Sequence, residues 1–195
     1  MADAARPSRS RDLAMIAVFA GLMAALGLLP PIPIPLSPVP ITAQSLGVML
    51  AGSIIGARRG AGALLLFLAL VAIGLPLLSG GRGGLGVFMG PSVGFLVGWV
   101  VCAWFIGLVT ERLGAPYTLA KGLVANVLGG IVLLYVCGIA GVLVRTGMTL
   151  KAALLSNVPY LVGDAIKVVI ASLVALGVHR AYPGLLASRR VGASR

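Results

Sequence analysis

Asp164 and Lys167 are the pair in this chain whose types and spacing could do chemistry. They interrupt residues 158–175, VPYLVGDAIKVVIASLVA, a run that otherwise reads as a membrane helix. A charged side chain at the centre of a bilayer costs about 2.5–3.5 kcal/mol on insertion scales, so such residues pair, turn inward and serve function. A spacing of three puts both on one helix face, where Asp supplies acceptors and Lys three donors. In a helix starting at residue 158 they lie roughly 9 and 14 Å along the axis, a pocket's depth in a hydrocarbon core about 30 Å thick. Such a pair could hold a small amphipathic ligand, with Gln44, Asn126 and Tyr135 adding polar contacts from other apolar runs. An internal salt bridge that only fixes the helix, or a proton relay, would use the same residues.

Composition narrows the setting. Of 195 residues 59% are hydrophobic and 10% charged, with a mean hydropathy of +1.12, against about 25% charged in soluble domains. The chain is expected to be an all-α, polytopic membrane protein. A net charge of +11 would suit nucleic acid, but the charges punctuate apolar runs instead of forming a stripe. Their expected partner is the lipid of an anionic leaflet, and no nucleic acid. Cys102 and Cys137 fall in apolar runs without metal-ligand spacing, and nothing pairs His179 with a carboxylate. There is no G-x-x-x-x-G-K-[ST], no H-E-x-x-H and no G-x-S-x-G, which predicts a protein that is not an enzyme and carries no metal or cofactor. Gly81-x-Gly83-x-x-Gly86 matches the dinucleotide fingerprint in form, yet it follows a membrane helix and lacks the βαβ unit that motif requires. Energy for uptake would come from a partner protein or an ion gradient.

Six spans must position the pair: about 13–29, 42–57, 60–78, 92–110, 122–144 and 158–182. A short interfacial helix within 146–157 is expected behind Thr149 as N-cap. Residues 1–12 and 183–195 read as basic flanks of the helical domain 13–182. Residues 30–40 (PPIPIPLSPVP) hold six of the twelve prolines and no charge, so they form a stiff extended loop and a natural lid. Residues 79–91 (SGGRGGLGVFMGP) form a second, glycine-rich loop. Eleven of the fifteen Lys and Arg fall on the side of both termini, which the positive-inside rule makes cytoplasmic, in a cell's inner membrane. Both loops and the start of the last helix then share the opposite face.

These residues resemble a known family. Pro35-Leu36-Ser37-Pro38-Val39-Pro40-Ile41-Thr42 leading to Gln44, the loop ending Gly90-Pro91-Ser92, and Gly163-Asp164-x-x-Lys167 are similar to the BioY family. Its members are biotin-binding substrate-specificity (S) components of energy-coupling factor (ECF) transporters. The likeness runs over about residues 13–181. Ser92, Val93 and Phe95 stand where the family tends to show GPTGGY, which takes contacts from those side chains out of the comparison. The resemblance implies a six-helix S-component fold that captures biotin from outside, with Asp164 and Lys167 holding its polar groups. It implies that Arg82, Gly86 and Phe88 close over the ligand, Arg82 attracting the valerate. Helix 1 would dock a transmembrane coupling subunit through Ala20 and Ala24, driven by two ATPase subunits. An S component for another vitamin and a lone proton-coupled carrier are the alternatives.

Overall fold

The computed structural model describes residues 9–35 and 37–186. Leu36, the stretch before Arg9 and the tail carrying Arg189, Arg190 and Arg195 lie outside the described residues. The helices are α1 (Arg9–Gly27), α2 (Gln44–Ala72), α3 (Val93–Leu113), α4 (Leu119–Val127), α5 (Leu134–Thr146), α6 (Leu150–Asn157) and α7 (Tyr160–Ala181). Among the described residues extended pairing is confined to two isolated bridges, Ile32 with Ile41 and Leu78 with Arg82. The architecture is all-helical, as expected.

α2 is two helices. Gly56 has φ 82° and ψ −178° inside it, a conformation open to glycine and strained for other residues. The chain folds back there: Gly60 lies against Ala51 and Gly52, and Gln44 at one terminus bonds the Leu77 carbonyl beyond the other at 3.0 Å. Among the described residues five helices are long and apolar enough to cross a membrane, and the hairpin makes them six apolar helices of a multi-pass protein. The expected spans 42–57 and 60–78 become residues 44–55 and 57–72. Arg58 and Arg59, which lie between those two expected spans, stand in the first turn of the second helix. The basic residues Arg9 and Arg11, expected in a flank, already belong to α1.

Glycines set how closely these helices approach. A Cβ on Gly107 would meet the Ala57 nitrogen at 2.2 Å, and one on Gly94 would meet the Cys137 carbonyl at 2.2 Å. α3 can therefore lie against both the hairpin and α5 at backbone distance, the packing that small residues allow in lipid. Around α3 the core closes with Phe67 against Trp99 (6.2 Å between ring centroids) and with Met23, Met49 and Ile106 fully buried.

α4 and α5 are one span joined by a π-helical turn, Leu128–Leu133. In a regular helix at about 100° per residue, Asn126 and Tyr135 would point to opposite sides. The wider π turn rotates Tyr135 back, and both side chains reach α7. Thr149 caps α6, accepting from the Ala152 nitrogen at 3.3 Å.

Candidate functional site

α7 carries the pair, and both members are enclosed. Asp164 is 5% exposed, and the Lys167 ammonium stands 2.9 Å from its Oδ1. Because α7 begins at Tyr160 and not at 158, Asp164 is only about 6 Å along the axis, nearer the rim than expected. Lys167 also donates to the Thr42 carbonyl at 2.8 Å and to Ser45 Oγ at 2.9 Å. Asp164 Oδ1 accepts a longer bond from Ser45 at 3.4 Å, and its Oδ2 accepts from the Tyr135 hydroxyl at 2.8 Å. Three donors of the ammonium meet three acceptors, the condition under which a buried ion pair is tolerated. One lone pair of Oδ2 remains to accept from a ligand.

The pair floors a cavity of about 60 Å³. One wall comes from the proline loop through Val39, Pro40 and Ile41, and another from α3 through Phe95 and Trp99. Arg82 lines it from the glycine loop. The Arg82 Nε donates to the Ser79 carbonyl at 3.3 Å, and among the described residues the rest of its exposed guanidinium has no hydrogen-bond partner.

The other expected residues fall in different places. Gln44 is at the cavity wall, but its amide is fully engaged: the nitrogen donates to the Met23 and Leu77 carbonyls, and the oxygen accepts from Ser79. It joins α1, the hairpin and the glycine loop. Asn126 lies deeper, accepting from Ser53 and donating to Ser172 at 3.1 Å each, and does not line the cavity. Gly86 and Phe88 are in a 3₁₀ turn, Leu85–Met89, also away from the lining, with Phe88 packed on the core. Ala20 is buried and Ala24 half-buried against that core. Ala14, Ala17, Gly21 and Ala25 are small residues that α1 turns outward.

Ser45, Tyr160, Phe95 and Trp99 join the site without having been expected there. Tyr160 lies four residues before Asp164, on the same face, and its ring meets Tyr135 and Phe95 edge to face at 6.3 Å each. That spacing was the available signal. Ser45 follows Gln44 by one residue and had none.

The charge pair thus lies beneath the proline loop at the floor of the cavity, and its chain also matches known proteins. The BioY family model matches residues 1–184. This chain belongs to the BioY family. The biotin transporter BioY of Rhizobium etli is 50% identical over 180 residues, covering 89% of this chain and 96% of that protein. The biotin transporter BioY of Rhodobacter capsulatus is 48% identical over 189 residues, covering 92% and 98%. Among solved structures, the S-component for biotin from an ECF-type ABC transporter is similar with a TM-score of 0.84 at 30% identity, covering 91% of this chain and 95% of that one. BioY membership therefore extends across the helices, both loops and the charge pair.

Proposed function

We propose that this protein is the biotin-binding S component of an ECF-type transporter and takes up the vitamin without transforming it. The observation that carries the reading is the enclosed Asp164–Lys167 pair under the proline loop, in a chain half identical to a biotin transporter. Biotin has a ureido group with two donors and an acceptor, an apolar thiophane ring and an anionic valerate. The open lone pair on Asp164 Oδ2 suits a ureido N–H. Phe95 and Trp99 offer apolar surface for the ring, as in most small-molecule pockets. Arg82, at the rim, suits the valerate through the planar fork that guanidinium presents to carboxylates.

Arg82, Arg145 and Lys151 lie at the end of the bundle that holds the site, while Arg9, Arg11, Arg58, Arg59, Arg112, Lys121 and Arg180 lie at the other. The positive-inside rule then orients the site outward across the cytoplasmic membrane, with both termini inside. In this reading a coupling subunit and two ATPases drive uptake, the chain itself carrying no P-loop motif. α1 is the docking helix. Ala17, Gly21 and Ala25, on the face beside Ala20 and Ala24, repeat the small-x-x-x-small pattern that brings helices together in lipid.

The test is equilibrium binding of biotin and of biotin amide to the purified full-length protein. Asp164→Asn is expected to weaken both ligands, and Arg82→Ala to weaken biotin by about tenfold, the scale of a lost charged hydrogen bond, while sparing the amide. A wild-type protein that binds neither ligand overturns the reading. Equal loss of both ligands in Arg82→Ala would overturn the orientation alone.

A further inference from the structure

We propose that the Tyr160 hydroxyl latches the proline loop over the site and sets the rate at which ligand enters and leaves. The inference rests on the biotin-binding reading for its kinetic test but not for its structural one. The loop is closed at its base by two backbone bonds, Ile32 nitrogen to Ile41 oxygen and the reverse, at 2.9 Å each. Its tip is tied by a closed circuit. The Tyr160 hydroxyl donates to the Val39 carbonyl, the Ser37 hydroxyl donates to Tyr160, and the Val39 nitrogen donates to Ser37 Oγ at 3.2 Å. Each hydroxyl both gives and receives, so the circuit has no unsatisfied member. Val39 is also buried against Val142 and Ala153, but apolar contact is non-directional. The two Tyr160 bonds fix where the tip sits.

The cavity gives the latch its consequence. At about 60 Å³ it is far below the roughly 300–1,000 Å³ of small-molecule sites, so a wall must move for a ligand to enter. Phe95, Trp99, Asp164 and Lys167 stand on helices, whereas Val39, Pro40 and Ile41 belong to the loop. Proline makes that wall stiff, so it moves as a plate once its tip is released. Tyr160 is thus a positioning residue: its ring stays in the cavity wall while its hydroxyl acts through the loop.

The experiment compares wild type, Tyr160→Phe, Ser37→Ala and the double variant by rapid-mixing biotin kinetics and by amide hydrogen exchange of residues 32–41 without ligand. Tyr160→Phe is expected to raise association and dissociation rates together by about fivefold to tenfold, the scale of two neutral hydrogen bonds, and Ser37→Ala, whose side chain does not line the cavity, to leave Kd within about threefold. Ser37→Ala shifts both rates the same way by less, and the double variant adds nothing to Tyr160→Phe because the two act as one unit. Loop exchange is expected to speed up in all three. Unchanged rates with unchanged exchange overturn the latch, as does a Kd rise confined to dissociation, which would make Tyr160 a direct ligand contact. If wild type binds no biotin, the functional reading fails and hydrogen exchange still decides the latch. If Tyr160→Phe does not fold, Ser37→Ala decides both readouts.

Discussion

The two ends of the bundle hold charge in opposite ways. At the site end, Asp164 and Lys167 are buried, share three further partners and leave a cavity of only about 60 Å³. At the hairpin end, Asp12 and Arg59 pair at 2.8 Å with side chains 37% and 16% exposed. A wider cavity of about 480 Å³ is lined there by Glu111, Tyr117, His179 and Arg180. Charge taken out of water must be matched bond for bond, and removing one partner costs about 3–5 kcal/mol. Exposed pairs contribute about 0–1 kcal/mol. The site end is therefore specified by chemistry and the hairpin end by shape, with Gly56 and its Glu111 cap as the main constraint.

This contrast can be broken or sharpened by mutation. The largest effect is expected from Asp164→Asn, which leaves Lys167 facing a neutral amide: biotin affinity should fall at least a hundredfold, following the buried-pair cost. Equilibrium binding that stays within tenfold would remove the distinction between the ends. Gly56→Ala should act on stability instead. Its Cβ would meet Glu111 Oε1 at 2.4 Å in a left-handed conformation, so a loss of about 2–3 kcal/mol is expected, seen as a lower melting temperature in detergent. Tyr135→Phe removes one hydrogen bond to the carboxylate, and titration should show affinity down by roughly tenfold. Asn126→Ala is expected to cost about 1–3 kcal/mol in thermal unfolding, because Ser53 and Ser172 lose a buried partner, while affinity stays within twofold. Asp12→Asn should be the smallest, below about 1 kcal/mol and silent in binding.

Glu111 marks the hairpin's role more directly. Its Oε1 accepts from the Ala57 nitrogen at 2.8 Å, capping the second helix of the hairpin across from α3. Tyr117 stacks on His179 at 4.7 Å beside it, and burial pushes the Tyr117 hydroxyl above its ordinary range.

What was legible in the sequence follows from how sharply each residue contrasts with its surroundings. Two charges in an apolar helix announce Asp164 and Lys167. Six prolines announce the stiff loop that walls the cavity. Ser45 and the Thr42 carbonyl complete the lysine's shell, but a serine in a membrane helix is ordinary and a backbone carbonyl has no residue type. Asn126 and Tyr135 are alike in polarity but stand on opposite sides of a regular helix, and the π turn that brings both to α7 leaves little trace beyond Gly129 and Gly130. Ala20 and Ala24 share one broad small-residue arc of α1 with Ala14, Ala17, Gly21 and Ala25. Spacing alone could not say which side the hairpin covers. The expected end of the second span at residue 57 ran just past the fold at Gly56 for a related reason, since Arg58 and Arg59 look like a stop until the glycine two residues before Arg58 reverses the chain.

That reversal fixes a length. Residues 44–55 rise about 18 Å and residues 57–72 about 24 Å, both short of a hydrocarbon core about 30 Å thick. Neighbouring spans such as α3 are longer, so the two sides of one molecule ask for different membrane thicknesses. Lipid must thin beside the hairpin or the bundle must lean toward it, each at a cost of a fraction of a kcal/mol per Å. Acyl-chain length in the surrounding bilayer thus becomes a variable that tilts the protein.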